Sequence, residues 1–379
     1  MLHTKARGPH AVYKKFDVNR YDVPDNSVSW KTSFPGYKPI DFTHPNVLCN
    51  SLRNLEKGTP CNSIPGIPET ATDYFGWADQ EDPNKIREDP NDPNKNLSEF
   101  NKGYRKSYLE NYPIVDKDNT ANYPGSRIGC PINYMGRTGM VGRGLLGKWG
   151  PNHAADPIVT RHHPETKQLQ MVAIKRKDTE EWAIPGGMVE YGDSVSATVK
   201  KEFGEEALDT ENMSPEEKEK AKELVDKIFS NKKGKVIYKG YVDDPRNTDN
   251  AWMETTAMHF HIDDNDWKEI SKKLKIKAGS DAGDVKWLDI DDNNPDYYNL
   301  YASHKEMVDT AIRELSDVDG KPVKITRDGD GNVINVKFGG KRKSKKVKKS
   351  KKVRKSKKVR KSKKVRKSKK VRKSRKSKK

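Results

Sequence analysis

Short apolar runs separated by turn residues fill the middle of the chain. Five of them read as strands: 168–175, 182–189, 236–242, 252–262 and 285–290. Each is rich in Val, Ile, Met and aromatic residues and is bounded by turn formers. A helical period replaces this pattern after residue 193. Val195, Val199 and Phe203 recur at i, i+4 and i+8, which predicts a helix from 194 to about 207 with Asp193 as its N-cap. A second helix is predicted over 215–229. Ser214 caps it, Pro215 takes the first position and Glu217 completes a capping box. A last helix is predicted over about 303–315. Mixed strands with interposed helices predict α/β or α+β layers.

The flanks behave differently. Residues 1–135 are rich in Pro, Asn, Asp, Tyr and Gly and show weak periodicity. Short strands and long ordered loops are expected there, with a helix near 98–109 and surface loops at 60–68 and 82–94. Such a segment has to pack against a better-formed domain. Residues 136–150 carry six glycines. Tight turns explain them better than a ligand loop, since neither GxxxxGK[ST] nor GxGxxG is present. Residues 321–338 read as a hairpin with strands 323–326 and 333–338 around two Asp-Gly pairs. The glutamate that would close a calcium loop is absent. From 351 to 374 a Lys-Lys-Val-Arg-Lys-Ser repeat takes over. Valine every six residues makes no helical stripe, so a disordered tail is expected.

At 379 residues, two lobes are a fair expectation. The net charge of +20 changes meaning once it is located. Residues 341–379 hold 27 of the 75 basic residues and no acidic one, and the other 48 face 55 Asp and Glu. The body is therefore acidic, and polyanion binding is a matter for the tail, with nucleic acid as its natural partner. Acidic membrane surfaces are the other polyanion open to it. Three cysteines, with no CxxC spacing, argue against a disulfide framework or zinc site and fit a reducing compartment. The first ten residues lack the apolar stretch of a signal peptide and make a poor transit peptide. No run reaches the ~20 apolar residues of a membrane helix. A soluble chain, cytoplasmic or nuclear, is expected.

The chemistry concentrates in one stretch. Gly186 and Gly187 end a strand, and the following helix carries Glu202, Glu205 and Glu206 at i, i+3 and i+4. That spacing puts three carboxylates on one face, where like charges cost roughly 0.2–0.5 kcal/mol per pair. A hard divalent cation with oxygen ligands offsets this repulsion. A solvated acidic face is the other meaning of such a cluster. The Gly-Gly entry at a fixed distance favours the metal.

Gly187, five residues, Asp193, seven residues, then Lys201 and Glu202 resembles the Nudix box, a strand-loop-helix that binds Mg²⁺ and hydrolyses nucleoside diphosphate derivatives. Asp193 and Lys201 stand where the box has Glu and Arg, and Leu208 and Asp209 where it has Gly and an apolar residue. Lys lacks the planar fork of Arg, so Glu202 is oriented more loosely. Segments 136–140, 142–144, 149–153, 182–186, 202–208, 238–252 and 300–304 are similar to ADP-ribose pyrophosphatases of mitochondrial type. They are also similar to the related C-terminal domain of a melastatin-type cation channel. The likeness covers about residues 3–315, and 243–252 is its most specific part.

The resemblance implies an α+β fold, a Nudix α/β/α sandwich with a mixed sheet. An irregular lobe (1–135) would precede the catalytic domain (136–318), and a hairpin (319–340) and the basic tail (341–379) would follow it. It implies Mg²⁺-dependent hydrolysis of ADP-ribose to AMP and ribose 5-phosphate, with Mn²⁺ as the other candidate cation. Glu202, Glu205 and Glu206 would hold the metal, with the Gly186 carbonyl as a further ligand. Arg246 would contact the diphosphate, Asp244 would lie near the adenosine, and Leu300 and His304 would line the distal ribose. An Arg fork suits phosphate oxygens, and a neutral His bonds sugar hydroxyls. No general base is assigned. Two other functions stand beside this one. Asp193 and Lys201 support an ADP-ribose sensor without turnover, and the tail supports a Nudix RNA-cap hydrolase.

Overall fold

The computed structural model describes residues 3–8, 11–14, 16–52, 55–65, 67, 73–84, 106–108, 111–189, 194–229, 234–271, 276–279, 282–316, 323–327 and 333–338. The chain divides into two compact units, Met1–Leu315 and Ser316–Lys379. In the first, two short helices, α1 (Ala11–Lys14) and α2 (Pro45–Cys49), flank strand β1 (Ile40–Thr43), which pairs in parallel with β2 (Met140–Gly144). Then come β3 (Gly150–His162), β4 (Leu169–Arg176), β5 (Trp182–Ala183), β6 (Gly187–Met188), α3 (Val195–Glu202) and α4 (Pro215–Ile228). The unit continues with β7 (Lys235–Tyr241), β8 (Ala251–Ile262), α5 (Asp264–Ile270), β9 (Ala282–Asp289), α6 (Pro295–Tyr298) and α7 (His304–Ser316). In the second unit β10 (Val323–Arg327) pairs antiparallel with β11 (Val333–Phe338).

Seven strands form the main sheet in the order β5-β4-β3-β8-β7, with β6 added to β3 and β9 to β4. β3 and β8 run in parallel from Gly150 opposite Ala251 to Arg161 opposite Ile262, and the other pairings are antiparallel. The sheet is mixed. The period-2 alternation of β3 sends Ala154 and Ile158 to one face, where they join Tyr301, Met307, Val308 and Ala311 at α7. Ala155 and Val159 face the other side, against Val199, Phe203, Leu224 and Phe229 from α3, α4 and their ends. Helices on both faces make the α/β/α sandwich. Among the described residues no helix is long and apolar enough to cross a membrane.

Several expectations change. β3, the longest strand, falls where no strand was expected, because Pro151, Asn152, His153, Asp156 and Pro157 hide its pattern. The expected 182–189 strand is two short ones. Pro185, Gly186 and Gly187 break it, so that β5 pairs with β4 and β6 crosses to β3. The cap of α3 is Ser194, whose side chain accepts from the Ala197 N–H, and Asp193 lies outside the described residues. The α-helix ends at Glu202, and Phe203–Ala207 form a π-helical turn. Cys49 and Cys61, expected to be unpaired, form a disulfide with Cα atoms 5.8 Å apart. The end of α2 and a 3-10 turn bring them together in a buried cluster with Tyr74, a tertiary contact that a spacing of twelve does not announce. Cys130 is a buried free thiol, and burial pushes its pKa up to about 11. The expected 98–109 helix falls mostly outside the described residues, and the basic tail wholly so.

The turn reading of the 136–150 glycines holds only in part: Gly136, Gly139, Gly142, Gly144 and Gly150 are all at positive φ, but Gly142 and Gly144 lie within β2 and Gly150 opens β3. Gly139 shows why glycine is needed: at φ +83° a Cβ there would strike the Tyr21 carbonyl.

Candidate active site

The sheet forks beside β3. β4 pairs with β3 only from Thr160 to His162, and β6 joins the same side at Ala154 and Ala155. Residues 184–186 span the gap. Their backbone N–H groups, released from the ladder by Pro185 and the glycines, turn to side chains instead. The Ile184 N–H donates to His304 Nδ1 at 3.0 Å, and the Gly186 N–H donates to Glu206 Oε2 at 2.8 Å. A Cβ on Gly186 would strike the Asp156 carboxylate, and one on Gly187 would strike that of Glu202. The glycine pair therefore lets two carboxylates close on the main chain, which no other residue type permits.

Glu202, Glu205 and Glu206 are half-buried and sit at the switch from α-helix to π turn. Single π turns recur at functional sites because they re-aim side chains within a helix. The turn is held from outside. The Lys277 N–H donates to the Ala207 carbonyl at 2.8 Å and the Gly279 N–H to that of Glu206 at 3.1 Å. Asp209, left-handed at φ +58°, ends the turn and bonds Lys277 Nζ and Asn212 Nδ2, both at 2.6 Å. Among the described residues no three acidic or histidine side chains converge into a closed ligand set. The donors still fit a hard divalent cation. They are all carboxylates, one bound to the Gly186 N–H and one against Gly187, and Mg²⁺ takes only one or two carboxylates besides water and phosphate oxygens.

The other wall comes from the 243–250 turn, which by pattern alone would be a polar surface turn. It is buried except at Arg246. Arg246 donates from Nε and a terminal nitrogen to Asp244 at 2.9 and 2.8 Å, a bidentate pair. Burial raises the Asp244 pKa, but Arg246 outweighs it and holds the carboxyl at about 2. The Tyr301 hydroxyl donates to Asp244 at 3.3 Å. Burial, with Arg176 adding to it, lowers the His304 pKa to about 3. His304 is thus neutral, and with Nδ1 accepting from Ile184 its proton sits on Nε2. Leu300 is buried in the apolar cluster under α7. Residues 184–186 thus bring Glu206 and His304 together, while the Asp244–Arg246 pair meets this side through Tyr301.

Three residues at the fork escaped the sequence reading. Asp156 is buried, accepts from Thr255 Oγ1 at 2.6 Å, and is held up to about 6 by burial. Its only signal was an acidic residue between Ala154–Ala155 and Ile158–Val159. Arg176 at the end of β4 had none, and Tyr301 before α7 lay inside the family-like 300–304 segment with no role assigned to it.

Three buried imidazoles predict an acid-sensitive fold. Burial lowers His3 and His304 to about 3 and His259 to about 4, from 6.5. The unfolded chain binds the extra protons. Their contribution is therefore complete above 6.5 and is lost as pH falls toward 4 and below. Asp156 and Asp249, raised by burial to about 6, act the opposite way between about 6 and 4. Two carboxyls do not offset three imidazoles, so Tm should fall steadily from pH 7 to pH 4.5. A flat or rising Tm in differential scanning fluorimetry would contradict this.

Comparison with known sequences fits this geometry. Residues 153–311 match the NUDIX domain, and residues 70–150 match the family described as NUDT9-like, N-terminal domain. The chain is 42% identical over 318 residues to the Rattus norvegicus protein named ADP-ribose pyrophosphatase, mitochondrial, covering 81% of this chain and 76% of the rat one. It is 39% identical over 315 residues to nudix hydrolase 6 of Caenorhabditis elegans, covering 81% of this chain and 96% of that one. A third relative, the transient receptor potential channel subfamily M member-like 2 of Nematostella vectensis, is 41% identical over 322 residues. That match takes in 83% of this chain but only 18% of the channel's length. The chain belongs to the Nudix hydrolase family.

Proposed function

We infer that the chain hydrolyses the diphosphate of ADP-ribose to AMP and ribose 5-phosphate, using Mg²⁺ or Mn²⁺ held by Glu202, Glu205, Glu206 and the Gly186 carbonyl. One observation carries the reading. Within 184–186, one N–H holds His304 and the next free one holds Glu206, so the histidine read here as a ribose contact and a carboxylate read here as a metal ligand are held by a single three-residue span. The rat relative's name supports ADP-ribose as the substrate. When bound, the cation supplies charge neutralisation at the diphosphate and a water of lowered pKa. The chain's own residues do the rest. Arg246 presents its remaining guanidinium edge to a phosphate. Asp244 keeps that fork oriented and lies near the adenosine. His304 Nε2–H donates to a ribose hydroxyl, and Leu300 backs the same ribose. On this reading residues 136–318 are the catalytic domain, 1–135 pack on it, and 319–340 extend it.

Incubating the purified chain with ADP-ribose and each cation, and following AMP, tests the reading. Cation-dependent AMP release supports it. Tight binding without release establishes a sensor. Neither outcome with ADP-ribose, but cleavage of capped RNA, establishes a cap hydrolase.

The tail has its own role in this reading: sequence-nonspecific binding of nucleic acid or another polyanion, in the cytoplasm or nucleus. Its charge density supports this. Truncation after Gly340 should abolish retention on duplex DNA and leave hydrolysis intact. For the full chain log K should fall with log salt at a slope of about −0.9 per phosphate neutralised. Retention by the truncated chain would refute it. The rat relative's name includes "mitochondrial", and cell fractionation separates a mitochondrial address from a cytoplasmic or nuclear one.

A further inference from the structure

We propose that Arg176 is a second phosphate-binding cation of this site, gripping the phosphate of a nucleoside diphosphate that Arg246 does not hold. The inference rests on the functional reading above and assigns a specificity role to a residue outside the box and outside the 243–252 string.

The two arginines are built alike. Arg176 donates from Nε and a terminal nitrogen to Asp178 at 2.9 and 2.8 Å, and Arg246 does the same to Asp244 at the same two distances. In both, the clamping carboxylate is two residues away in the chain. In both, the side chain is 23% exposed. Tyr301 stands between the two. The Arg176 guanidinium lies over its ring at 4.4 Å from the centroid, and its hydroxyl bonds Asp244. A guanidinium pinned along one edge by a carboxylate and on one face by a ring has only its NH1 edge left to present. No acceptor among the described residues takes that edge of either arginine. Arg246 disfavours the charge on Arg176, and Arg176 acts on Asp244, Asp156 and His304 in turn, so the two guanidinium groups lie within electrostatic reach of one another. Two like charges kept side by side suit a ligand with two anionic groups, each able to accept a fork.

Arg176 also has a structural task that the test has to separate. Its backbone closes the β4–β5 turn with Glu180 and Glu181, and Tyr301 N–H bonds the Trp182 carbonyl in that hairpin. Loss of Arg176 could therefore loosen the hairpin. A loosened hairpin weakens every nucleotide alike, whereas loss of a phosphate contact weakens only ligands with the second phosphate.

The experiment measures AMP and ADP affinities by calorimetry without divalent cation, so that nothing turns over, for the intact chain, Arg176→Met and Arg176→Lys. The intact chain should prefer ADP to AMP. Arg176→Met should weaken ADP by roughly 10- to 100-fold and AMP by less than about threefold, as expected for one charged hydrogen-bond pair. Arg176→Lys should recover part of the ADP affinity and none of the fork's directionality. Equal weakening of AMP and ADP with a lowered Tm overturns the assignment in favour of a hairpin pin. Undiminished ADP preference in Arg176→Met overturns it while leaving the hydrolysis reading standing. An intact chain that binds ADP no better than AMP also overturns the assignment, and the hydrolysis reading is decided separately by AMP release from ADP-ribose.

Discussion

Glu202→Gln should lower AMP release from ADP-ribose by about a thousandfold or more at saturating Mg²⁺, while Tm stays within a few degrees. The substitution keeps the volume of the side chain and one of its oxygens and removes its charge. The Glu202 carboxylate lies against the Gly187 main chain, in the one place where the absence of a Cβ admits it. An amide there is a poor ligand for a hard cation. Loss of roughly 4 kcal/mol of transition-state stabilisation by the metal corresponds to about three powers of ten in rate. Stability should not fall, because removing one of three like charges on one turn relieves a repulsion of roughly 0.2–0.5 kcal/mol per pair. Metal-free ADP-ribose affinity should hold, since Arg246, Asp244 and His304 are untouched. Glu216→Gln, on the exposed start of α4, is the control and should change neither rate nor affinity. If Glu202→Gln keeps a tenth or more of the activity, the cation is held elsewhere.

The elements that announced themselves in the sequence are those governed by local chemistry. Ser214 and Glu217 form both bonds of the capping box, with Pro215 at the first position. The apolar stripe Val199 and Phe203 is buried as the helical period requires. β3 was missed because its polar residues, outward-facing by expectation, are satisfied inside. Asn152 bonds Lys148 and Gly150, and Asp156 bonds Thr255. Burial of a paired polar group leaves no trace in a hydropathy pattern. The same reason hid the disulfide, whose partners meet only after α2 and the turn at Cys61 have packed.

The candidate site was legible in halves. Glu202, Glu205 and Glu206 follow from helical spacing, although the π turn changes the angles between them. Asp244, Arg246, Leu300 and His304 came from family likeness, because a polar turn and a helix-start histidine carry no chemical signal alone. What spacing could not supply is the bridge at 184–186, since it depends on which freed N–H group meets which side chain. Arg176 and Tyr301 belong to the same class. They are neighbours only after β4 and the start of α7 come together.

Glu254→Ala should cost about 3–5 kcal/mol of stability, the range for removing one partner from a buried charged network. Glu254 is fully buried on β8. One carboxylate oxygen accepts from Ser107 Oγ at 2.7 Å, Trp252 Nε1 at 2.9 Å and the Tyr134 hydroxyl at 3.2 Å. The other accepts from the Tyr108 N–H at 2.8 Å and faces His153 Nε2 at 3.7 Å. Burial alone would raise its pKa, but these donors and His153 hold it below the usual glutamate range. Its stabilisation is therefore complete above the unfolded value and is lost as pH falls through the lowered one. Three of the donors it accepts from lie in the irregular lobe, at 107, 108 and 134, so the carboxylate ties that lobe to the sheet. Alanine would strand these donors, each at about 1–3 kcal/mol when unsatisfied, and leave a cavity. Glutamine keeps the shape, yet both oxygens are ringed by donors, so its NH₂ would face a donor whichever way it turns. Glu254→Gln should therefore lose more than half as much as Glu254→Ala in urea unfolding, and proteolysis should reach the 106–135 segment first in both. A loss below about 1 kcal/mol for either variant would mean that the apolar contacts of Tyr112 and Tyr134 with Trp252, and not the carboxylate, hold the lobe to the sheet.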